Sequence, residues 1–154
     1  MCSSDLSGEK VGEERIEPLI TGYATFSKWQ ERLACVYHLL GYAKNHQEVF
    51  ELGIRALSDK AAMVRYRACQ LLAYSQKAEA LPALQDLLNH RDAKSVEDAK
   101  AAIDAITHRN HHYFVDRNHT GQMFMAVGPP SAALEMVVQK SKDQPWWKFW
   151  GRKA

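Results

Sequence analysis

Cysteine is scarce in this chain of 154 residues. Cys2, Cys35 and Cys69 are odd in number and form no C-x-x-C pair. That is not a disulfide framework, and it suits a reducing compartment, so a cytoplasmic location is expected. Long apolar runs are missing too. None approaches the roughly 20 residues that a membrane-spanning helix needs. The opening MCSSDLSGEK has neither a basic start nor an apolar stretch, so no secretory signal is visible. An excess of one charge is also lacking. Lys and Arg total 20 against 18 Asp and Glu, and a net charge of +2 calls for no nucleic-acid partner. What is present is ordinary: 46% hydrophobic and 25% charged residues, which excludes a wholly disordered or collagen-like chain. The length fits one domain.

Residues 1–15 predict a loose arm. Ser3, Ser4, Ser7, Gly8 and Gly12 supply little to bury against the entropy of ordering. A single domain is expected over 16–141, followed by a tail over 142–154. Its middle reads as helical. Trp29, Leu33, Val36, Tyr37 and Leu40 form one stripe of a helix starting at Ser27, with Gln30 placed to complete a capping box. A second helix opens at Asn45 with Glu48 three later. A third runs from about Lys60 to Tyr74, and a fourth from Ala78 to Asn89 with Pro82 in its first turn. The fifth starts at Ser95, boxed by Asp98. Short connections make neighbouring helices antiparallel. Beyond them, the β-branched and aromatic runs around Asn118–Gly121 predict a β-hairpin over 112–127, and Ser131 opens a final helix.

The helices repeat. Leu39-Leu40-Gly41-Tyr42 aligns with Leu71-Leu72-Ala73-Tyr74 at an offset of 32 residues, and Val36/Ala68, Leu52/Leu84 and Val64/Val96 keep that offset. Two helices per unit at this period mark a helical solenoid, in which stacking neighbours build the core.

The stretch Asp59-Lys-Ala-Ala-Met-Val64-Arg65, with Ala68 and Leu72, resembles the HEAT repeat. In that family an Asp in the turn between paired helices precedes by six residues an Arg that follows a Val. The next unit departs from the pattern: Asp92 lies four before Val96 and Glu97 stands where the Arg belongs. The resemblance covers about 27–108. It implies a mainly α fold, a short α-solenoid of antiparallel helix pairs, to which the hairpin and a final helix are added. It also implies that the helices beginning near Ser27, Lys60 and Ser95 line a concave side.

The helical period sets Glu31, Cys35, His38 and Tyr42 opposite the first stripe. It sets Met63, Tyr66, Gln70 and Tyr74, flanked by Arg67, opposite the stripe of the third helix, and Glu97, Ala101, Asp104 and Ala105 opposite that of the fifth. Tyr42 and Tyr74 thus recur on the open side. Aromatic, Arg and Met side chains are what protein-binding surfaces favour. The mixed acids argue against a phosphate backbone as ligand.

His111, His112, Asp116 and His119 offer imidazoles and a carboxylate, the ligand types of a zinc-like site, but at no strong metal spacing. The tail gathers Trp146, Trp147, Phe149 and Trp150 among five basic residues from Lys140 onward. Such interleaving suits a partner groove, a membrane interface or a cap on the last apolar layer. No serine or cysteine nucleophile is placed beside Asp116 and His119 by sequence. The expectation is a non-enzymatic, cofactor-free module, an adaptor or an immunity-type inhibitor. It would dock another protein through Glu31, His38, Tyr42, Met63, Tyr66, Arg67, Gln70, Tyr74, Trp146, Trp147 and Trp150. The alternatives are a metal-dependent enzyme or sensor built on the histidines, and a nucleic-acid or membrane contact through the tail.

Overall fold

The computed structural model describes residues 12–121. Six α-helices occur among them: α1 (Ile16–Thr25), α2 (Trp29–Leu39), α3 (Gln47–Ala56), α4 (Ala62–Ser75), α5 (Leu81–Leu87) and α6 (Ala93–Thr107). Three 3-10 turns punctuate them, at Leu40–Tyr42, Ala78–Ala80 and His111–Phe114. The pairs are α1 with α2, α3 with α4 and α5 with α6. Continuity between pairs is carried by α2, α4 and α6, which pack in that order, while α1 and α3 barely touch. The fold is thus a helix-pair stack with a continuous inner layer.

The apolar pattern explains the layering. Inner positions 33 residues apart are all buried: Cys35, Ala68 and Ala101; Val36, Cys69 and Ala102; Leu39, Leu72 and Ala105. Helix α4 is covered by α2, α3 and α6, so nine of its fourteen residues are buried and no single polar face remains. Two glycines let the outer helices approach. A Cβ on Gly22 would stand 3.2 Å from Cys35 Sγ on α2, and one on Gly53 would stand 2.6 Å from Leu71 on α4. Both glycines are the seventh residue of their helix.

Helix α1 extends the stack beyond the expected first helix at Ser27. Its Ile16, Leu19, Ile20 and Tyr23 fall at i, i+3, i+4 and i+7. The expected capping boxes do not form. Helices α2 and α3 start after Lys28 and His46 with no side-chain cap. The Ser27 carbonyl is instead taken by Arg32 Nη1 at 2.7 Å. Helix α6 begins after Asp92, whose carboxylate accepts the Lys94 amide. The expected cap Ser95 and its partner Asp98 lie buried inside the helix.

The first expected strand of the hairpin is replaced by a turn. Arg109 adopts a left-handed φ of 52°, and the Asn110 amide returns to the Ala105 carbonyl at 2.9 Å. The Asn110 side chain then accepts the His112 amide, starting the 3-10 turn His111–Phe114. The aromatic run 112–117 has no strand beside it among the described residues. Phe114, 2% exposed, joins the core instead, and the turn packs on α6 and α4. The second expected strand and the final helix lie outside the described residues.

Cys69 has no exposed surface, and burial, with the Asp98 charge, pushes its thiol up to about 12. Burial also raises the thiol of Cys35. Both should resist a thiol-reactive dye at pH 8 in the folded protein and react at once in denaturant. Rapid labelling of Cys69 without denaturant would contradict this packing.

Candidate partner-binding face

The inner helices are registered by a ladder of ion pairs. Asp59, in the α3–α4 turn, receives Arg32 of α2 through both oxygens, at 2.8 and 2.9 Å. It also accepts the Tyr23 hydroxyl of α1 at 3.1 Å and the Ala61 amide at 2.9 Å. One carboxylate therefore ties α1, α2 and the start of α4. The next step repeats it. Arg65 of α4 donates through Nη2 to Asp92 at 2.9 Å and through Nε to Ser95 at 2.8 Å. Its Nη1 binds the carbonyls of Asp59 and Lys60 at 2.7 and 3.0 Å. Arg32 and Arg65 lie 33 residues apart, as do Asp59 and Asp92. The inner register is thus one residue longer than the 32 read from the leucine pairs. The Asp–Arg pairing joins each unit to the next, so Asp92 is paired although its own unit lacks an Arg. At the third step the polarity reverses: Asp98 stands where Arg32 and Arg65 stand, and Arg117 reaches it at 2.8 Å.

Burial would raise the Asp59 carboxyl, but hydrogen bonds from Arg32, Ala61 and Tyr23 and the Arg32 charge outweigh it and hold it below the usual range. Tyr23 is pushed up to about 12 by burial and then by the Asp59 charge. Two limbs of stability against pH follow. The Asp59 contribution is complete above the unfolded carboxyl value of about 3.9 and disappears as pH falls through the lower folded value. The Tyr23 contribution is complete below about 10 and disappears as pH rises towards 12. Urea midpoints against pH should show both limbs, and Tyr23→Phe should shrink the alkaline one to the part contributed by the buried Cys69 and Cys35 thiols.

On the free side of α2 and α4 lies an aromatic and cationic cluster. The Arg67 guanidinium sits 5.0 Å from the Tyr37 ring of α2 and 5.3 Å from the Tyr66 ring of α4. Its Nη1 donates to Gln70 Oε1 at 2.6 Å. Such cation–π contacts contribute about 0.5–2 kcal/mol each. Tyr66 continues to Phe114 at 5.5 Å, and Tyr37 to His38 at 5.4 Å.

Several expected positions move. Tyr37, assigned to the buried stripe, is 51% exposed, while Cys35, Ala101 and Ala105, assigned to the open side, are buried. Gln70 is buried beneath Arg67 rather than open. Helix α4 has an inner neighbour on each side, and α2 and α6 each pack on α4 and on their pair partner, so the polar arc is narrower than one stripe implies. Tyr42 and Tyr74 have different surroundings. Tyr42 lines a cleft with His38, Pro18 and Leu19 and packs against His46. Tyr74 lies under His111 at 4.9 Å. Glu31 is exposed, and Met63 is half-buried against the core. Trp146, Trp147 and Trp150 lie outside the described residues.

A model of HEAT repeats matches residues 16–108. The chain belongs to the HEAT-repeat family. HEAT repeats are commonly protein–protein interaction modules and generally scaffolds rather than enzymes. No curated protein matches the chain. The matched HEAT region includes α1, so the repeat array begins one helix before the expected residue 27. No helix among the described residues is long and apolar enough to cross a membrane.

The histidines after the HEAT region do not converge. His111 packs on Tyr74, and burial, then His112 and Lys44, lower its pKa. Asp116 accepts the amides of Thr120 and Gly121 at 2.9 and 2.8 Å, which holds its carboxyl low and closes the loop. His119 pairs with Asp104 at 2.6 Å and stacks on Tyr113 at 3.8 Å. Among the described residues no three metal-ligating side chains are grouped to hold an ion.

Proposed function

We propose that this chain is a non-enzymatic docking module that binds another protein on the free side of α2 and α4. The observation that carries the reading is the Tyr37–Arg67–Tyr66 cluster, where aromatic area stays exposed on a rigid inner layer. Rigid aromatics bury much area on binding at little rotamer cost, and Arg and Tyr dominate binding energy at interfaces. Half-buried Met63, Tyr42 and Tyr74 and exposed His38 and Glu31 are proposed as further contacts, with buried Gln70 holding Arg67. The module serves as an adaptor or an immunity-type inhibitor, acting in the cytoplasm. Trp146, Trp147 and Trp150 are proposed as a second contact with the same partner.

The test is capture from the host extract with wild-type protein and a Tyr37→Ser/Tyr66→Ser variant, followed by reciprocal purification through the captured protein. A partner held by the wild type and lost, by tenfold or more, in the folded variant is expected. The same proteins in equal amount from both baits would refute the assignment of the face.

A further inference from the structure

We infer that Arg67 is a receptor for a carboxylate, an Asp or Glu side chain on an exposed segment of a partner protein. The inference rests on the protein-binding reading of this face and adds the chemistry of the partner.

Shelter without a carboxylate carries it: Arg15, Arg55, Arg91 and Arg109 also reach no carboxylate among the described residues, but of the arginines without one only Arg67 has a buried, unpaired nitrogen. Arg32, Arg65 and Arg117 each reach a carboxylate, on Asp59, Asp92 and Asp98. Arg67 reaches none among the described residues; its hydrogen bond goes to the neutral amide of Gln70. Its Nε is buried without a hydrogen-bond partner. A sheltered guanidinium that has given up water without gaining an anion is unfavourable until an anion arrives. The group is also held in place. Tyr37 and Tyr66 flank it from two helices, and Gln70, itself buried, fixes one Nη1 bond. Nη2 makes no hydrogen bond to the described residues and is not among the buried unpaired atoms, so it remains accessible. The accessible Nη2 of a guanidinium held beside two aromatic rings matches one oxygen of a carboxylate on a peptide, with the rings covering the apolar part of the same segment.

The probe is a library of random twelve-residue peptides displayed on phage and selected on the full chain. The best selected peptide is then synthesised with its acid and with the matching amide. Selected peptides should share an Asp or Glu, and its change to Asn or Gln should weaken binding at least about tenfold. Arg67→Gln should cause the same loss and add little to the loss of the amide peptide, the mark of a direct pair. Arg67→Lys should recover part of the affinity, since the charge remains and the fork is lost. Equal melting temperatures for the variants separate binding from folding. Acid-free peptides that need Tyr37 and Tyr66 would overturn the carboxylate inference and leave the docking face standing. Absence of any enriched peptide would count against both. An oligonucleotide bound by the wild type and lost in Arg67→Gln would overturn the inference in favour of a phosphate ligand.

Discussion

Replacing Asp59 by alanine should lower the unfolding free energy by about 3–5 kcal/mol, the range for breaking one side of a buried ion pair. The Asp59 side chain is 4% exposed and holds Arg32 through two bonds. Its loss strands the Arg32 guanidinium, 16% exposed, and frees the Tyr23 hydroxyl and the Ala61 amide at once. For a domain of this size the melting temperature should fall by about 6–20 °C. Asp59→Asn keeps an acceptor for Ala61 and Tyr23 and should lose less. It should also shrink the acid limb of the stability profile, leaving the part contributed by other carboxyls held low, Asp92 and Asp116 among them, which separates the charge from the turn geometry. Urea unfolding followed by circular dichroism checks both, and an Asp59→Ala midpoint equal to wild type would show that the ladder does not hold the stack.

The second large effect is at Arg65. Alanine there should also cost about 3–5 kcal/mol. The reason differs from that at Asp59. Asp92 keeps about a third of its side chain in water and can rehydrate. The carbonyls of Asp59 and Lys60 and the buried Ser95 hydroxyl cannot do so as readily, and each loses its donor. Lysine at this position supplies one charged end where the fork serves both sides of the gap, so it should rescue little. Asp59→Ala and Arg65→Ala share the backbone of Asp59, so their effects should not add. A double variant no worse than either single one would identify the ladder as one cooperative unit.

The repeat, the helix pairs and the buried leucines could all be read from the sequence, because burial on one side of a helix leaves a 3.6-residue period. Leu33, Val36, Leu52, Leu72 and Leu84 needed nothing more. The pattern of α1 was equally legible, since Ile16, Leu19, Ile20 and Tyr23 carry the same period beside a polar arm. The Asp and Arg residues of the ladder were visible by type, but their partners were not. Arg65 lies six residues from Asp59 and bonds instead to the carboxylate 27 residues away, in the next unit. The sequence-predicted caps fail for the same reason. Ser95 and Asp98 are good capping residues locally, but tertiary neighbours, Arg65 and Arg117, recruit them into the interior.

Local pattern alone determined that this chain stacks amphipathic helix pairs. Only the tertiary structure decided which polar residues pair and which stay open. A helix period records one buried stripe, while α4 is covered on three sides. On α2 likewise, Cys35 sinks against Gly22 of α1 while Tyr37 emerges, although both lie beside Val36 in sequence. The run 112–117 has β-like composition, but Phe114 finds Tyr66 and the end of the core closer than any strand among the described residues. Burial of that ring, a long-range contact, outweighs the propensity of its neighbours.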